Sequence, residues 1–303
     1  MKILCIGSIN QDIVYNVEHI AAGGETVPSR SRNVYWGGKG LNQAVALARS
    51  FDEVYFAGMV NQSECAIREF CRDNHLKPDY MEYSEMPTGH AVIYVDRNGQ
   101  NSITVFGGAN QALTEAYIEE TLNHFEKGDI VLIQNETNQL ETIIRCAHER
   151  QLTIAMNPSP FEEKLLELPL EMVDIFILNE IEGAQLTGCR EPDAIIQTAL
   201  AKFSDAAFVL TLGEQGSIYA DREKLLRQGT YRMPVVDTTA AGDTFTGYFL
   251  SGIASGRSEK EAMELAAKAS AIAISRQGAV VSIPKLDEVL AFDKTENTET
   301  IIQ

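Results

Sequence analysis

The chain has 303 residues, 45% hydrophobic and 22% charged, enough for one large α/β domain or two ordinary ones with a sizeable core. Its formal net charge of −18 and the lack of a basic stripe argue against nucleic-acid binding, and any anionic substrate must meet local positive charge or backbone N–H groups. Five scattered cysteines, none in a C-x-x-C pair, argue against a disulfide framework or zinc site and for a reducing cytosol; no apolar run approaches the roughly 18 residues of a membrane span.

In chain order, Ile3 to Ile6 reads as a buried strand ended by Gly7-Ser8. The strand-like run from Lys2 to Ile9 is too short for a secretory signal and runs straight into Asn10 and Asp12. A segment with Gly23, Gly24 and Pro28 leads into an extended stretch ending at Trp36. Leu41, Ala44, Val45 and Ala48 recur at helical spacing up to Arg49, Val54 to Ala57 reads as a strand, and Ile67 to Cys71 belongs to a helix. Between Thr88 and Phe106 the period becomes two: Ala91, Ile93 and Val95, then Asn98-Gly99, then Ile103 and Val105, which predicts a β-hairpin. With the segment from about residue 12 to 36 it predicts a small sheet set apart from the main body.

After residue 113, the apolar runs Ile130–Ile133, Thr153–Met156, Ile175–Leu178 and Phe208–Leu212 alternate with helical segments, the pattern of a parallel sheet covered by helices. Phe245–Ile253 and Glu259–Ser275 read as helices, and the tail from about Lys294 as loosely ordered. One α/β domain over 1–303, with lid segments at about 12–36 and 88–106, is the simplest organisation.

Three segments carry chemistry. In Asp237-Thr238-Thr239-Ala240-Ala241-Gly242-Asp243-Thr244-Phe245, small residues open a helix whose free N–H groups and dipole suit an anion. Asp243 there is either an N-terminal cap or a general base beside the anion site. Gly37-Gly38-Lys39-Gly40, followed by Asn42-Gln43, is no Walker loop, since Gly40 stands where Ser or Thr should follow the lysine. It is either a tight turn into a helix or a close backbone approach to a small polar ligand. Asn10 and Asp12, after the first strand, read as a turn or as ligand groups at a strand end.

Taken together and in this order, Gly7 to Asp12, Gly37 to Ala44 and Asp237 to Phe245 resemble the ribokinase family of carbohydrate kinases, over almost the whole chain. The resemblance implies a three-layer αβα sandwich with a mainly parallel central sheet and a small β-sheet lid. It also implies transfer of the γ-phosphate of ATP to the 5-hydroxyl of D-ribose. Asn10, Asp12, Gly38, Lys39, Asn42 and Glu136 would hold the sugar, and Asp243 would take the hydroxyl proton. Ala240, Ala241 and Gly242 would offer N–H groups to the γ-phosphate.

By the same resemblance, Asn179 and Glu182 form an N-x-x-E motif that organises phosphate and Mg²⁺, with Thr211, Gly213, Glu214, Gln215 and Gly216 along the nucleotide. A K⁺ site would use Asp237, Thr239, Ala273, Arg276, Gly278 and Ser282, largely through carbonyls. The protein would be a cytoplasmic homodimer joined through the lid, with sugar and ATP as partners and neither nucleic acid nor membrane. Ala57 to Glu64 lacks the family's Gly-Asp-x-x-Gly pattern, and Ala266 stands where some relatives place an asparagine near adenine. A kinase of deoxyribose or a nucleoside is the alternative within the fold, and a catalytically silent sugar-binding regulator the alternative outside it. A dehydrogenase fits poorly, because no G-x-G-x-x-G follows the first strand.

Overall fold

Strand β1 (Ile3–Ile6) is buried on both faces, with Ile3 and Cys5 in one apolar cluster and Leu4 and Ile6 in another. Two-sided burial explains why its sequence is an unbroken apolar run. The computed structural model describes residues 1–293 and the backbone of Glu296–Asn297, which pairs antiparallel with Thr230–Tyr231. The rest of the tail from Lys294 lies outside the described residues.

The chain continues as β2 (Asn10–Val17), β3 (Ser29–Gly37), α1 (Lys39–Ala48), β4 (Val54–Asn61), α2 (Ala66–Asp73), β5 (Lys77–Ser84), β6 (Gly89–Val95) and β7 (Asn101–Phe106). Then follow α3 (Glu115–Leu122), β8 (Ile130–Gln134), α4 (Leu140–Glu149), β9 (Thr153–Asn157), β10 (Ile175–Asn179), α5 (Glu180–Thr187), α6 (Pro192–Lys202) and β11 (Ala207–Thr211). The last elements used below are β12 (Ser217–Ala220), β13 (Leu225–Gln228), α7 (Ala241–Ala254) and α8 (Glu259–Ile274).

Nine strands form one sheet in the order β13-β12-β11-β10-β9-β8-β1-β4-β5, parallel from β11 to β5 with β12 and β13 added antiparallel. Helices cover both faces. Ile3, Cys5, Leu132 and Val209 pack with residues of α1, α2, α7 and α8; Leu4, Ile6, Val131 and Phe208 pack with residues of α3 to α6. The three-layer αβα arrangement is thus present. Strand β5 escaped the sequence reading because it is a polar edge strand that contains Pro78, as edge strands tolerate.

A second sheet has the order β3-β2-β6-β7, with β2 antiparallel to β3 and parallel to β6, and β6–β7 forming the expected hairpin. Its turn is organised by Asp96, whose Oδ1 accepts from the amides of Asn98 at 2.7 Å and Gln100 at 3.0 Å. The sheet begins at Asn10, so Asn10 and Asp12 lie in its strand β2 and not in a turn.

Helices α1 and α7 approach closely at Gly247. A Cβ there would stand 2.8 Å from the Leu47 amide nitrogen and 2.9 Å from the Gln43 carbonyl oxygen. Only glycine allows this approach, and Asp243, one turn earlier on α7, is thereby brought against Asn42 and Gln43 of α1.

Candidate active site

Polar side chains end the parallel strands at their carboxyl edge: Gln134 on β8, Asn157 on β9, Asn179 on β10 and Thr211 on β11. In an open parallel sheet that edge binds ligands, above all where the strand order reverses. The order reverses at β1, which lies between β8 and β4. Ser8 and Asn10 follow β1 and Glu136 follows β8, so all three sit at the reversal.

Of the expected sugar residues, Asn42 bonds Asp243 directly, while Glu136 with Lys39, and Asn10, are held by bonds of their own. The buried Asp243 carboxylate accepts from Asn42 Nδ2 at Oδ2 and from Gln43 Nε2 at Oδ1, both at 2.9 Å. Its side chain makes no capping bond to α7, so the cap reading is wrong for this residue. Glu136 Oε2 accepts from the Lys39 amide at 3.0 Å and from the Ser8 hydroxyl, and Ser8 Oγ in turn accepts from the Gly40 amide at 3.2 Å. Buried Asn110 accepts from the Ile9 amide at 2.9 Å and donates to Asn10 Oδ1 at 2.8 Å. Gly38 caps α1 with φ of 94°, a backbone that side chains rarely adopt. Asn42 Oδ1 is buried without a hydrogen-bond partner, an acceptor that a sugar hydroxyl would satisfy.

Charge is crowded here. Burial, then the nearby Glu136 and Asp243 carboxylates, push the Asp12 carboxyl up to about 7. Burial also raises Glu136, against the Ser8 hydroxyl and Lys39. Burial alone would lower the Lys39 ammonium, but Asp243, Glu136 and Glu182 together outweigh it and hold it above its ordinary range. Lys39 thus lies in the field of Asp243 and Glu136 and in that of Glu182.

Farther along the carboxyl edge, Asn179 and Glu182 form a capping box on α5. Asn179 Oδ1 accepts from the Ile181 and Glu182 amides at 2.9 Å, and Glu182 Oε2 accepts from the Asn179 amide at 3.0 Å. Register sets Asn179 beside Thr211, and Gly213, Glu214 and Gln215 make the short turn that follows, closed by Gly216. At the start of α7, Ala240 is left-handed with φ of 59°. The expectation of three free amides needs correction, because the Ala241 amide donates to the Thr238 carbonyl at 3.2 Å. Gly242 is exposed, and a Cβ on it would meet nothing within 4 Å.

Of the expected cation residues, Asp237, Thr239 and Gly278 are joined directly. Asp237 Oδ1 accepts from the Thr239 amide at 2.9 Å and hydroxyl at 2.6 Å, and Oδ2 from the Gly278 amide at 2.9 Å. Burial pushes the Asp237 carboxyl up, but these bonds prevail and hold it below its usual range. The Ala273 carbonyl is taken by the Arg276 amide at 3.0 Å, the Arg276 guanidinium pairs with Glu288, and buried Ser282 bonds Ala279. Among the described residues no group of three or more His, Cys, Asp or Glu could hold a metal ion.

Residues 1–286 match the pfkB family carbohydrate kinase profile. The chain belongs to that family. It is 33% identical to the ribokinase of Bacillus subtilis (strain 168), over 95% of this chain and 98% of that one. It is 35% identical to the bifunctional ribokinase/ribose-5-phosphate isomerase A of Fructilactobacillus sanfranciscensis; the alignment takes in 100% of this chain but only 58% of that protein. The structure of Arabidopsis thaliana ribokinase complexed with ribose and ATP superposes with a TM-score of 0.82 at 28% identity, over 96% of this chain and 99% of that one. The protein is a sugar kinase.

Several residues of this carbohydrate kinase's site have no role in the sequence reading: Ser8, Gln43, Asn110, Gln134 and Asn157. The available signal is a polar residue ending an apolar strand, as at Gln134 after Ile130–Ile133. Ala266, at the position where some relatives place an asparagine, is fully buried in the apolar cluster that holds α7 and α8.

The raised Asp12 carboxyl has a consequence for stability. Unfolded, the group titrates near 3.8; folded, at about 7, so between those values the folded state holds more protons. Stability present below about pH 4 is therefore lost as pH rises towards about 7. Asp12→Asn should melt higher than the unsubstituted protein above about pH 7, with the gap closing below about pH 4. A gap in Tm that is constant across that range would refute the assignment.

Proposed function

We propose that this kinase transfers the γ-phosphoryl group of ATP to the 5-hydroxyl of D-ribose, with Asp243 as the proton acceptor. The observation that carries the reading is the buried Asp243 carboxylate, pinned by Asn42 and Gln43 at the start of α7. Asn10, Asp12, Lys39, Asn42 and Glu136 supply donors and acceptors for sugar hydroxyls, the Gly37–Gly40 turn lets the backbone approach them, and Glu182 lies within the field of Lys39. Phosphoryl transfer asks the protein mainly for positioning and charge stabilisation, with a carboxylate to receive the hydroxyl proton. The exposed Gly242 amide and the α7 dipole favour negative charge at the phosphate end.

Magnesium bound with the nucleotide would neutralise phosphate charge. One acidic residue, Glu182, suits an ion that keeps most of its waters and phosphate oxygens. Asp237, Thr239, Ala273, Arg276, Gly278 and Ser282 would hold K⁺ and stiffen the turn into α7 without touching substrate. Asn179, Thr211 and the Gly213–Gly216 turn would lie along the nucleotide.

The small sheet would form the lid of a single domain and join two copies through its exposed apolar side chains, among them Tyr35, Ile103 and Val105. Five unpaired cysteines suit a cytoplasmic enzyme, and among the described residues no helix is long and apolar enough to cross a membrane. Equal rates in potassium and sodium would remove the K⁺ proposal, and light scattering of a monomer alone would remove the dimer.

An ADP-release assay over pentoses, hexoses and nucleosides tests the central reading. D-Ribose should exceed every other acceptor in kcat/KM by about tenfold or more. A better rate with deoxyribose or a nucleoside would replace ribose and leave the kinase intact. Sugar binding with no turnover on any acceptor would favour the silent regulator.

A further inference from the structure

Gln43 is fully buried, one residue after the sugar-facing Asn42, and its amide is part of a directional chain. Asn157 Nδ2 donates to the Ile177 carbonyl of β10 at 2.7 Å. Asn157 Oδ1 then faces Gln43 Nε2 at 3.2 Å, and the same nitrogen donates to Asp243 Oδ1 at 2.9 Å. Gln43 Oε1 accepts from Gln134 Nε2 at 2.8 Å. A carbonyl oxygen at one end and a carboxylate at the other are acceptors only, so both ends require the same orientation of every amide between them. Gln43 cannot flip without losing bonds at both ends.

The two oxygens of Asp243 are therefore held differently. Oδ2 is met by Asn42, whose other amide atom is unpartnered and which borders the sugar residues. Oδ1 is met by a side chain with no access to substrate and anchored through β9 to β10. The terminal torsion of an aspartate is broad, so a carboxylate without such a clamp would swing.

We propose that Gln43 is a positioning residue for the phosphoryl-transfer step, clamping Asp243 Oδ1 through Asn157 and the main sheet so that Oδ2 stays aimed at the acceptor hydroxyl. This rests on Asp243 being the proton acceptor. The clamp acts on the reacting geometry and not on either substrate, so its loss lowers kcat and leaves both KM values near their starting point.

The test is steady-state kinetics of the full chain with MgATP and its best sugar acceptor. Gln43→Met keeps the length of the side chain and removes the donor; kcat should fall by roughly thirtyfold to a hundredfold, with both KM values within about threefold. Asn157 is half-buried at a strand end, so Asn157→Ala gives a second reading if Gln43→Met does not fold; it should lower kcat by about threefold to tenfold with the same split. A folded Gln43→Met that keeps kcat within about twofold, or a loss confined to the sugar KM in whichever variant folds, overturns the proposal. Asp243→Asn run alongside separates the two ideas. If it retains turnover, the proton-acceptor reading fails; if it loses turnover while Gln43→Met does not, only the clamp fails.

Discussion

Asp243→Asn should lose at least about a hundredfold in kcat while melting close to the unsubstituted protein. The catalytic half follows from removing the group proposed to take the hydroxyl proton. The stability half follows from the amides around it. The substituted side chain can point its amide oxygen at Gln43, whose donor is held in place by Asn157 and Gln134. Its new NH₂ group then faces Asn42, which can flip and offer its unpartnered Oδ1. No donor is left facing a donor, and one negative charge leaves a site shared with Asp12 and Glu136. Sugar hydroxyls both donate and accept, so the flipped Asn42 still binds them and sugar KM changes little. Initial rates and a thermal melt decide the matter: a folded variant turning over near the original speed would show that Asp243 is not the base.

The second large effect separates two glycines by what surrounds them. A Cβ on Gly40 would lie 2.6 Å from both the Cα and the carbonyl carbon of Gly7, backbone that cannot swing aside. Overpacking of this kind costs about 1–3 kcal/mol, and for a chain of this size each kcal/mol lowers Tm by a few degrees. It also pulls the Gly40 amide from Ser8 Oγ and disturbs the bond between Ser8 and Glu136. Gly40→Ala should therefore melt several degrees lower and raise sugar KM by on the order of tenfold. Gly242→Ala should do the opposite, keeping Tm, because its Cβ meets no protein atom, and lowering kcat if the proposed phosphate site lies at that turn. Should Gly40→Ala melt unchanged, the close approach of the two backbones is not needed; should Gly242→Ala turn over normally, phosphate does not pass that amide.

The sequence by itself determined the layers of the fold and pointed to part of the candidate site, including Lys39, Asn42 and Asp243, but not to Gln43, Gln134 or Asn157. Four-residue apolar runs such as Ile3–Ile6 are what a strand buried on both faces requires, and the period-two pattern around Asn98-Gly99 marks the β6–β7 hairpin, although its second strand is exposed along its whole length. The Gly37–Gly40 segment, Lys39, Asn42 and Asp243 stand out locally as candidates, because backbone freedom and charge are local properties. Local pattern leaves cap or base, and turn or ligand approach, open, and the roles given to these residues rest on the family resemblance.

What only the tertiary structure decided is which of those groups touch. Whether Asp243 caps α7 or faces α1 depends on Gly247 letting two helices close, a contact between residues about two hundred positions apart in the chain. Gln43, Gln134 and Asn157 look like ordinary polar residues until strand order sets β8, β9 and β10 side by side and their amides in one line. Hydrogen-bond direction in a buried network is fixed by partners at both ends, and those partners lie far apart in the chain.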